Sequence, residues 1–146
     1  MNIKILNKNI LAVLVFSVFV LLALGSDDGD EREDPSSYPT SSATYDELNA
    51  EVGCGSKYSK DKKKDIFRSR YKNHWMTWSG EVVLAEADGA SLNIDGFGTQ
   101  DLSVDFSDKN AGYNLMDGDY ITVRFVMKRA GGCFLPFSGD FAVIVR

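Results

Sequence analysis

The stretch from Trp75 to Leu84, WMTWSGEVVL, alternates apolar and polar side chains along most of its length. Alternation with a period of two is typical of a β-strand that packs one face on a core. Gly80 interrupts the stretch, and a glycine inside a strand indicates a bend or a bulge. The stretch therefore predicts one long, bent strand, and the segments after it are of the same kind.

Four shorter segments with strand composition follow, and turn residues containing glycine separate them. They are Ser91 to Ile94, Leu102 to Phe106, Tyr120 to Lys128 and Phe141 to Arg146. Strands at regular spacing with turn chemistry between them are typical of small barrels. The sequence therefore predicts a mainly β fold, a small five-stranded antiparallel barrel.

A helix is expected ahead of the barrel, over Lys57 to Tyr71, with Ser56 or Ser59 as its N-cap. Its apolar residues fall on one side, as in a helix that docks a narrow apolar stripe on a core. A short helical turn is also expected over Tyr45 to Val52. These segments and the barrel make up a predicted domain of residues 45–146.

Two stretches resemble oligonucleotide- and oligosaccharide-binding (OB) folds. Leu115 to Val123, LMDGDYITV, resembles the fourth strand of OB-fold domains. Phe67 to Val82 runs from a helix through Tyr-Lys into a strand with Ser-Gly-x-Val, and resembles the secreted bacterial OB-fold domains grouped as tRNA-anticodon-like. The resemblance covers about Ser56 to Arg146. It implies an OB-like barrel with a preceding helix, and OB folds often bind single strands or sugars.

The first 25 residues have the three-part pattern of a signal peptide. Met1 to Asn9 carries two lysines and no acid, Ile10 to Leu24 is almost wholly apolar, and Ala23-Leu24-Gly25 is a small-x-small exit. A membrane anchor is the alternative, but a spanning helix needs about 20 apolar residues. Ser26 occupies the place where a lipid-bearing cysteine would stand. We therefore expect residues 1–25 to be cleaved, leaving a secreted or periplasmic protein without a membrane span.

Residues 26–44 form an acidic run followed by a segment rich in Ser, Thr and Pro. Neither part contains enough apolar surface to offset the entropy of ordering, so we expect a disordered tether. Removing residues 1–25, which hold two lysines and no acid, changes the net charge from −5 to −7. This acidity weakens any general attraction to phosphate backbones.

Cys54 and Cys133 are the only cysteines of the chain. In an oxidising compartment an even cysteine count favours a disulfide, and two free thiols remain the alternative. Two thiols and the single distant histidine, His74, cannot build a metal site. We expect the disulfide, and we expect neither a metal nor a cofactor.

The helix segment from Lys57 to Lys72 holds eight basic residues and two acidic ones. This charge is either the solvated face of a helix or a docking surface for an acidic partner or an anionic envelope component. The candidate binding residues on this segment are Lys62, Lys63, Lys64 and Arg68.

Further candidates lie on the barrel. Asn93 and Asp95 are expected to face outward from the second strand. The predicted outer face carries no basic groove with exposed aromatics, which single-strand binders need, so strong nucleic-acid binding is not expected. Phe134 and Phe137 lie in the last loop beside Cys133 and form either an exposed binding pair or part of a loop packed on the barrel end.

No catalytic pattern stands out, because His74 has no nucleophile partner and the aspartates fit turns and strand surfaces. We therefore predict no enzyme, but an exported binding module that engages a protein or an anionic envelope component. The alternatives are a glycan-binding module resembling toxin B subunits and a weak single-stranded nucleic-acid binder.

Overall fold

The computed structural model describes residues 34–145. The expected signal peptide of residues 1–25, the first part of the expected tether and Arg146 lie outside the described residues. The elements are a 3-10 helix Pro35–Ser37, α1 Tyr45–Val52, α2 Lys60–Arg70, β1 Trp75–Glu86, β2 Gly89–Asn93, β3 Leu102–Phe106, β4 Tyr120–Arg129 and β5 Phe137–Val145. Neither α1 nor α2 is long and apolar enough to cross a membrane, and no other helix among these residues is.

The five strands form a closed barrel in the order β1-β2-β3-β5-β4, which confirms the mainly β fold and is consistent with an OB-like fold. One detail of the prediction needs correction, because β3 and β5 run parallel and the other four pairs run antiparallel. A closed ring with an odd number of strands cannot alternate direction all the way round. At least one parallel pair is therefore required.

The barrel core is filled by alternate residues of the strands, as the period of two predicted. Met76, Trp78 and Val82 of β1 are buried, and Phe125 and Met127 of β4 face them. Fully buried side chains of this size supply most of the hydrophobic stabilisation.

Gly80 marks a close approach of two strands rather than the bulge of β1. A Cβ atom at this position would lie 2.6 Å from the carbonyl oxygen of Asn93, so no larger residue fits without a shift of the backbone. The irregularity in the pairing of β1 with β2 lies farther along, between Val82 and Leu84.

Strand β5 begins at Phe137, four residues before the predicted start. Ser138-Gly139-Asp140 has the composition of a turn, but Ser138 and Gly139 pair with β3. Phe141 has a φ of 57°. Around this residue the register of β5 shifts in its pairing with β3 and in its pairing with β4. The turn-like composition therefore marks a kink inside the strand.

Both predicted helical segments are present and pack against each other. Thr44 and Glu47 form a capping box at the start of α1, and Ser59 is the N-cap of α2, which begins at Lys60. Glu51 of α1 accepts hydrogen bonds from Arg70 at 2.8 Å and from the hydroxyl of Tyr71 at 2.6 Å. This polar pairing fixes how the two helices meet.

Residues 34–44, which we expected to belong to a disordered tether, instead lie along the start of β1. The backbone N–H of Trp75 donates to the carbonyl of Pro39, and the N–H of Ser41 donates to the carbonyl of Trp75, both at 2.8 Å. The Trp75 and Trp78 indoles donate to the carbonyls of Pro35 and Ala43, both at 2.9 Å. Buried indole N–H groups need such acceptors, and this segment supplies them. Residues 26–33 lie outside the described residues.

The hydroxyl of Tyr71 should make the stability of the protein fall at alkaline pH. Burial and the hydrogen bond to Glu51 raise the pKa of Tyr71 from 10.0 to about 12. A raised pKa in the folded state contributes stability that is fully present below pH 10 and lost as the pH rises towards 12. Urea unfolding across this range should show a loss of stability that is smaller for Tyr71→Phe. An equal loss in both proteins would contradict this assignment.

Candidate functional site

Two loops and the corner between the helices meet at one end of the barrel. The β2–β3 loop covers residues 94–101, the β4–β5 loop covers residues 130–136, and the corner carries Cys54. Cys54 and Cys133 form a disulfide with their Cα atoms 4.6 Å apart, which confirms the predicted pairing. The bond ties the corner to the β4–β5 loop, and a cleft of about 370 Å³ opens beside it. We call this the disulfide cleft.

Asp101 holds this end of the barrel together. Its carboxylate accepts a hydrogen bond from the hydroxyl of Tyr45 at 2.8 Å, and from the backbone N–H groups of Ile94 and Asp95 at 2.7 and 3.1 Å. Its carbonyl accepts from the N–H of Phe137 at 2.8 Å, which joins the two loops at their base. Burial and the Asp101 carboxylate raise the pKa of Tyr45 above its ordinary value. The Tyr45 hydroxyl therefore stays protonated and serves as a donor.

The β2–β3 loop presents Phe97 to solvent, with 81% of the residue exposed. Gly96 and Gly98 on either side have positive φ values of 77° and 81°, which favour glycine. Asn93 Oδ1 accepts from the N–H of Gly96 at 2.8 Å, and Asp95 Oδ1 accepts from the N–H of Phe97 at 2.7 Å. The two predicted site residues Asn93 and Asp95 therefore build the turn that projects Phe97.

The structure separates the predicted pair Phe134 and Phe137. Phe134 is 97% exposed at the rim of the disulfide cleft, with the exposed Leu135 beside it. Phe137 is only 3% exposed, and its ring packs edge-on against those of Tyr45 and Trp78. Strand β5 begins at Phe137, so its side chain falls on the core face. Phe97, which the sequence pattern did not single out, is the exposed aromatic residue that shares the cleft with Phe134.

Phe97 also lines a second cleft, of about 720 Å³. We call it the β1 cleft, because Thr77, Trp78 and Ser79 of β1 line it together with residues 42–46. Tyr45 and Phe97 line both clefts. Among the described residues, no lysine, arginine or histidine lines either one, whereas three carboxylates do: Asp46, Asp95 and Asp101.

No residue of the basic helix α2 lines either cleft. Lys63 donates to the carbonyl of Gly53 at 2.8 Å and is therefore part of the helix corner. Lys62, Lys64 and Arg68 are exposed. Asp61 precedes Lys64 by three residues, and Asp65 precedes Arg68 by three residues. Residues three apart in a helix are neighbours on one face, so acidic side chains interrupt the positive surface.

His74 lines a third cleft, which also contains Glu47, Glu51 and Arg70. Both carboxylates already have partners, Glu47 in the capping box and Glu51 with Arg70 and Tyr71. The ring nitrogen Nδ1 of His74 lies 3.0 Å from the carbonyl of Lys72. Within residues 34–145, no group of three or more His, Cys, Asp or Glu side chains is arranged to hold a metal ion. The hydroxyls of Ser41 and Ser42 line this cleft as well, but within the described residues neither forms a hydrogen bond with His74.

Sequence reasoning missed Phe97 and Asp101 for different reasons. The glycines around Phe97 signal a turn, but they do not say whether the aromatic ring points inward or outward. Asp101 looks like an ordinary loop acid, and its role depends on partners far away in the sequence, such as Tyr45.

Comparison with protein-family models found no match to this chain, and comparison with curated proteins found none either. The resemblance to tRNA-anticodon-like OB-fold domains therefore stays a prediction.

Proposed function

We propose that this protein is a non-catalytic binding module that engages a protein partner through the disulfide cleft and the β1 cleft. One observation carries the proposal. Phe134 and Phe97, the two most exposed large apolar side chains among the described residues, line the same cleft. Exposed apolar residues are usually scattered singly, and a group of them marks an interaction surface.

The loops that carry these rings are held in place before any partner binds. The Cys54–Cys133 disulfide anchors the loop of Phe134, and Asp101 anchors the base of both loops. Aromatic side chains on restricted loops lose little entropy on binding, which favours affinity. This pre-organisation supports a binding role.

The charge of the clefts argues against nucleic acid at this site. Binders of single strands neutralise phosphates with lysine and arginine, and the described lining residues offer carboxylates instead. The exposed lysine and arginine side chains of α2 are a weaker candidate site for an anionic envelope component, because Asp61 and Asp65 interrupt their positive charge.

A neutral glycan is the second candidate ligand. It is favoured by the hydroxyl groups of Ser42 and Thr77, which line the β1 cleft together with Phe97. The hydroxyls of Thr44 and Ser79 also line it, but they already serve the capping box and a hydrogen bond to Thr122. Pockets that combine an apolar ring with a few polar groups orient ligands of this kind.

The compartment forms part of the proposal. The disulfide is compatible with an oxidising location, since such bonds are rare in the cytosol. We propose that residues 1–25 direct the chain there as a cleaved signal peptide, and that the module acts in the periplasm or outside the cell.

Substituting both exposed rings should strongly reduce partner capture. The oxidised protein and its Phe97→Ala/Phe134→Ala variant are used as bait for envelope extract, and the retained proteins are quantified by mass spectrometry. Each hot-spot ring contributes on the order of 2 kcal/mol, so retention of the partner should fall by at least roughly tenfold.

Tyr113→Ala/Tyr120→Ala is the matched control, because these two rings are also exposed but line neither cleft. It should retain the partner at the wild-type level. The proposal is wrong if the partner is lost from the Tyr113/Tyr120 variant and retained by the Phe97/Phe134 variant.

A further inference from the structure

We infer that the partner segment bound in the two clefts is basic and apolar, with lysine or arginine side chains that reach Asp46 and Asp95. This inference rests on the proposed function and specifies the chemistry of the partner. Its starting point is a charge imbalance, because the clefts contain three carboxylates and, among the described residues, no cation.

The three carboxylates differ in how far the fold already uses them. The Asp101 carboxylate accepts hydrogen bonds from three donors, and these bonds hold the base of the β2–β3 loop. Asp95 commits only Oδ1, to the N–H of Phe97. Asp46 lies exposed in the first turn of α1, and neither it nor Asp95 forms an ion pair with another described residue. Asp46 and Asp95 therefore keep oxygen atoms available for a bound cation.

These two carboxylates share a cleft with an exposed aromatic ring. Asp46, Asp95 and Phe97 all line the β1 cleft, and Phe97 also faces the disulfide cleft with Phe134. Lysine and arginine have apolar stems and charged ends, so one such side chain can pack on a ring and reach a carboxylate. Apolar neighbours in the same segment would contact Phe134 and Leu135.

An acidic segment is disfavoured, because like charges across an interface repel. A neutral glycan could donate hydroxyl groups to the same oxygens, but its binding would not depend on their charge. Charge dependence therefore separates the basic segment from both alternatives.

The test is selection from a library of random heptapeptides displayed on phage, with the oxidised protein immobilised. The wild-type protein should enrich peptides that combine lysine or arginine with apolar residues. Asp46→Asn/Asp95→Asn should still enrich apolar peptides but lose the preference for cations, because the amide oxygen introduced at position 95 can still accept from the N–H of Phe97. The best cationic peptide should bind this variant roughly tenfold more weakly.

Asp105→Asn/Asp117→Asn is the matched control. It changes the net charge by the same amount at exposed residues outside both clefts, and it should select the same peptides as the wild type. A general charge effect would instead weaken cationic peptides in both variants, and this would overturn the inference.

Failure of the inference and failure of the proposed function give different results. Enrichment of acidic or uncharged peptides that is lost in Phe97→Ala/Phe134→Ala would overturn the basic segment and leave the protein-binding site intact. If the wild-type protein enriches no peptide more strongly than Phe97→Ala/Phe134→Ala does, both the inference and the proposed function are overturned. Binding of a neutral glycan that depends on Phe97 and Phe134, without peptide enrichment, would also overturn both.

Discussion

Replacing Cys54 and Cys133 together by alanine should lower the free energy of unfolding by about 4 kcal/mol. The disulfide joins residues 79 positions apart, so it closes most of the barrel into one loop and restricts the unfolded chain. Domains of this size are stabilised by roughly 5–15 kcal/mol in total. The bond is therefore expected to supply a large share of the stability, and urea unfolding of the oxidised protein and the variant measures it.

Reductant provides the control for this prediction. It should destabilise the wild-type protein to about the level of Cys54→Ala/Cys133→Ala and leave that variant unchanged. Equal unfolding midpoints for the oxidised wild type and the variant would show that the bond contributes little. The variant should also bind its partner less well, because the loop of Phe134 loses its anchor.

Trp78→Ala should lower the free energy of unfolding by about 3–5 kcal/mol, the usual cost of removing a large buried aromatic residue. Trp78 is 5% exposed. Its ring lies 5.8, 5.3 and 5.9 Å from those of Tyr45, Phe125 and Phe137, which makes it the centre of an aromatic cluster. Truncation leaves a cavity between the barrel and α1 that these rings cannot all fill.

Trp78→Phe distinguishes packing from hydrogen bonding at the same position. Phenylalanine keeps most of the ring contacts but cannot donate to the carbonyl of Ala43, a bond of 2.9 Å in the native protein. The loss should be about 1–3 kcal/mol, from the smaller ring and the unpaired carbonyl. If both variants unfold at the urea concentration of the wild type, Trp78 is not a core residue.

Much of the fold could be predicted from local patterns. Strands β1, β3 and β4 follow from alternation, and β3 was predicted with its observed bounds of Leu102 and Phe106. The start of β5 was missed, because Ser138-Gly139-Asp140 looks like a turn until β3 lies beside it. The parallel pairing follows from barrel closure, which is a property of the whole sheet and not of any segment.

The ordering of residues 34–44 could not be read from composition. A polar segment rich in Ser and Pro lacks apolar residues of its own, yet here it offers carbonyl groups to the indoles of Trp75 and Trp78. These carbonyl groups find their indole donors only once β1 has formed and positioned the two tryptophans.

The candidate site was predictable in part. The cysteine pair was identified from the sequence. For Phe134 and Phe137 the sequence left open an exposed pair or a packed loop, and each alternative holds for one residue, because Phe134 is exposed and Phe137 lies in the core. Phe97 and Asp101 were missed, since their roles depend on two loops that meet only after the barrel has closed. The basic residues of α2, which the sequence offered as binding candidates, line neither cleft.

Site-specific photo-crosslinking tests the central claim, a protein-binding site at the disulfide end of the barrel, most directly. A photoreactive phenylalanine analogue is placed at position 134, or at position 113 as the control, and the oxidised protein is irradiated in envelope extract. We predict a discrete protein adduct from position 134 and none from position 113. A protein adduct from position 113 with none from position 134 would contradict the account.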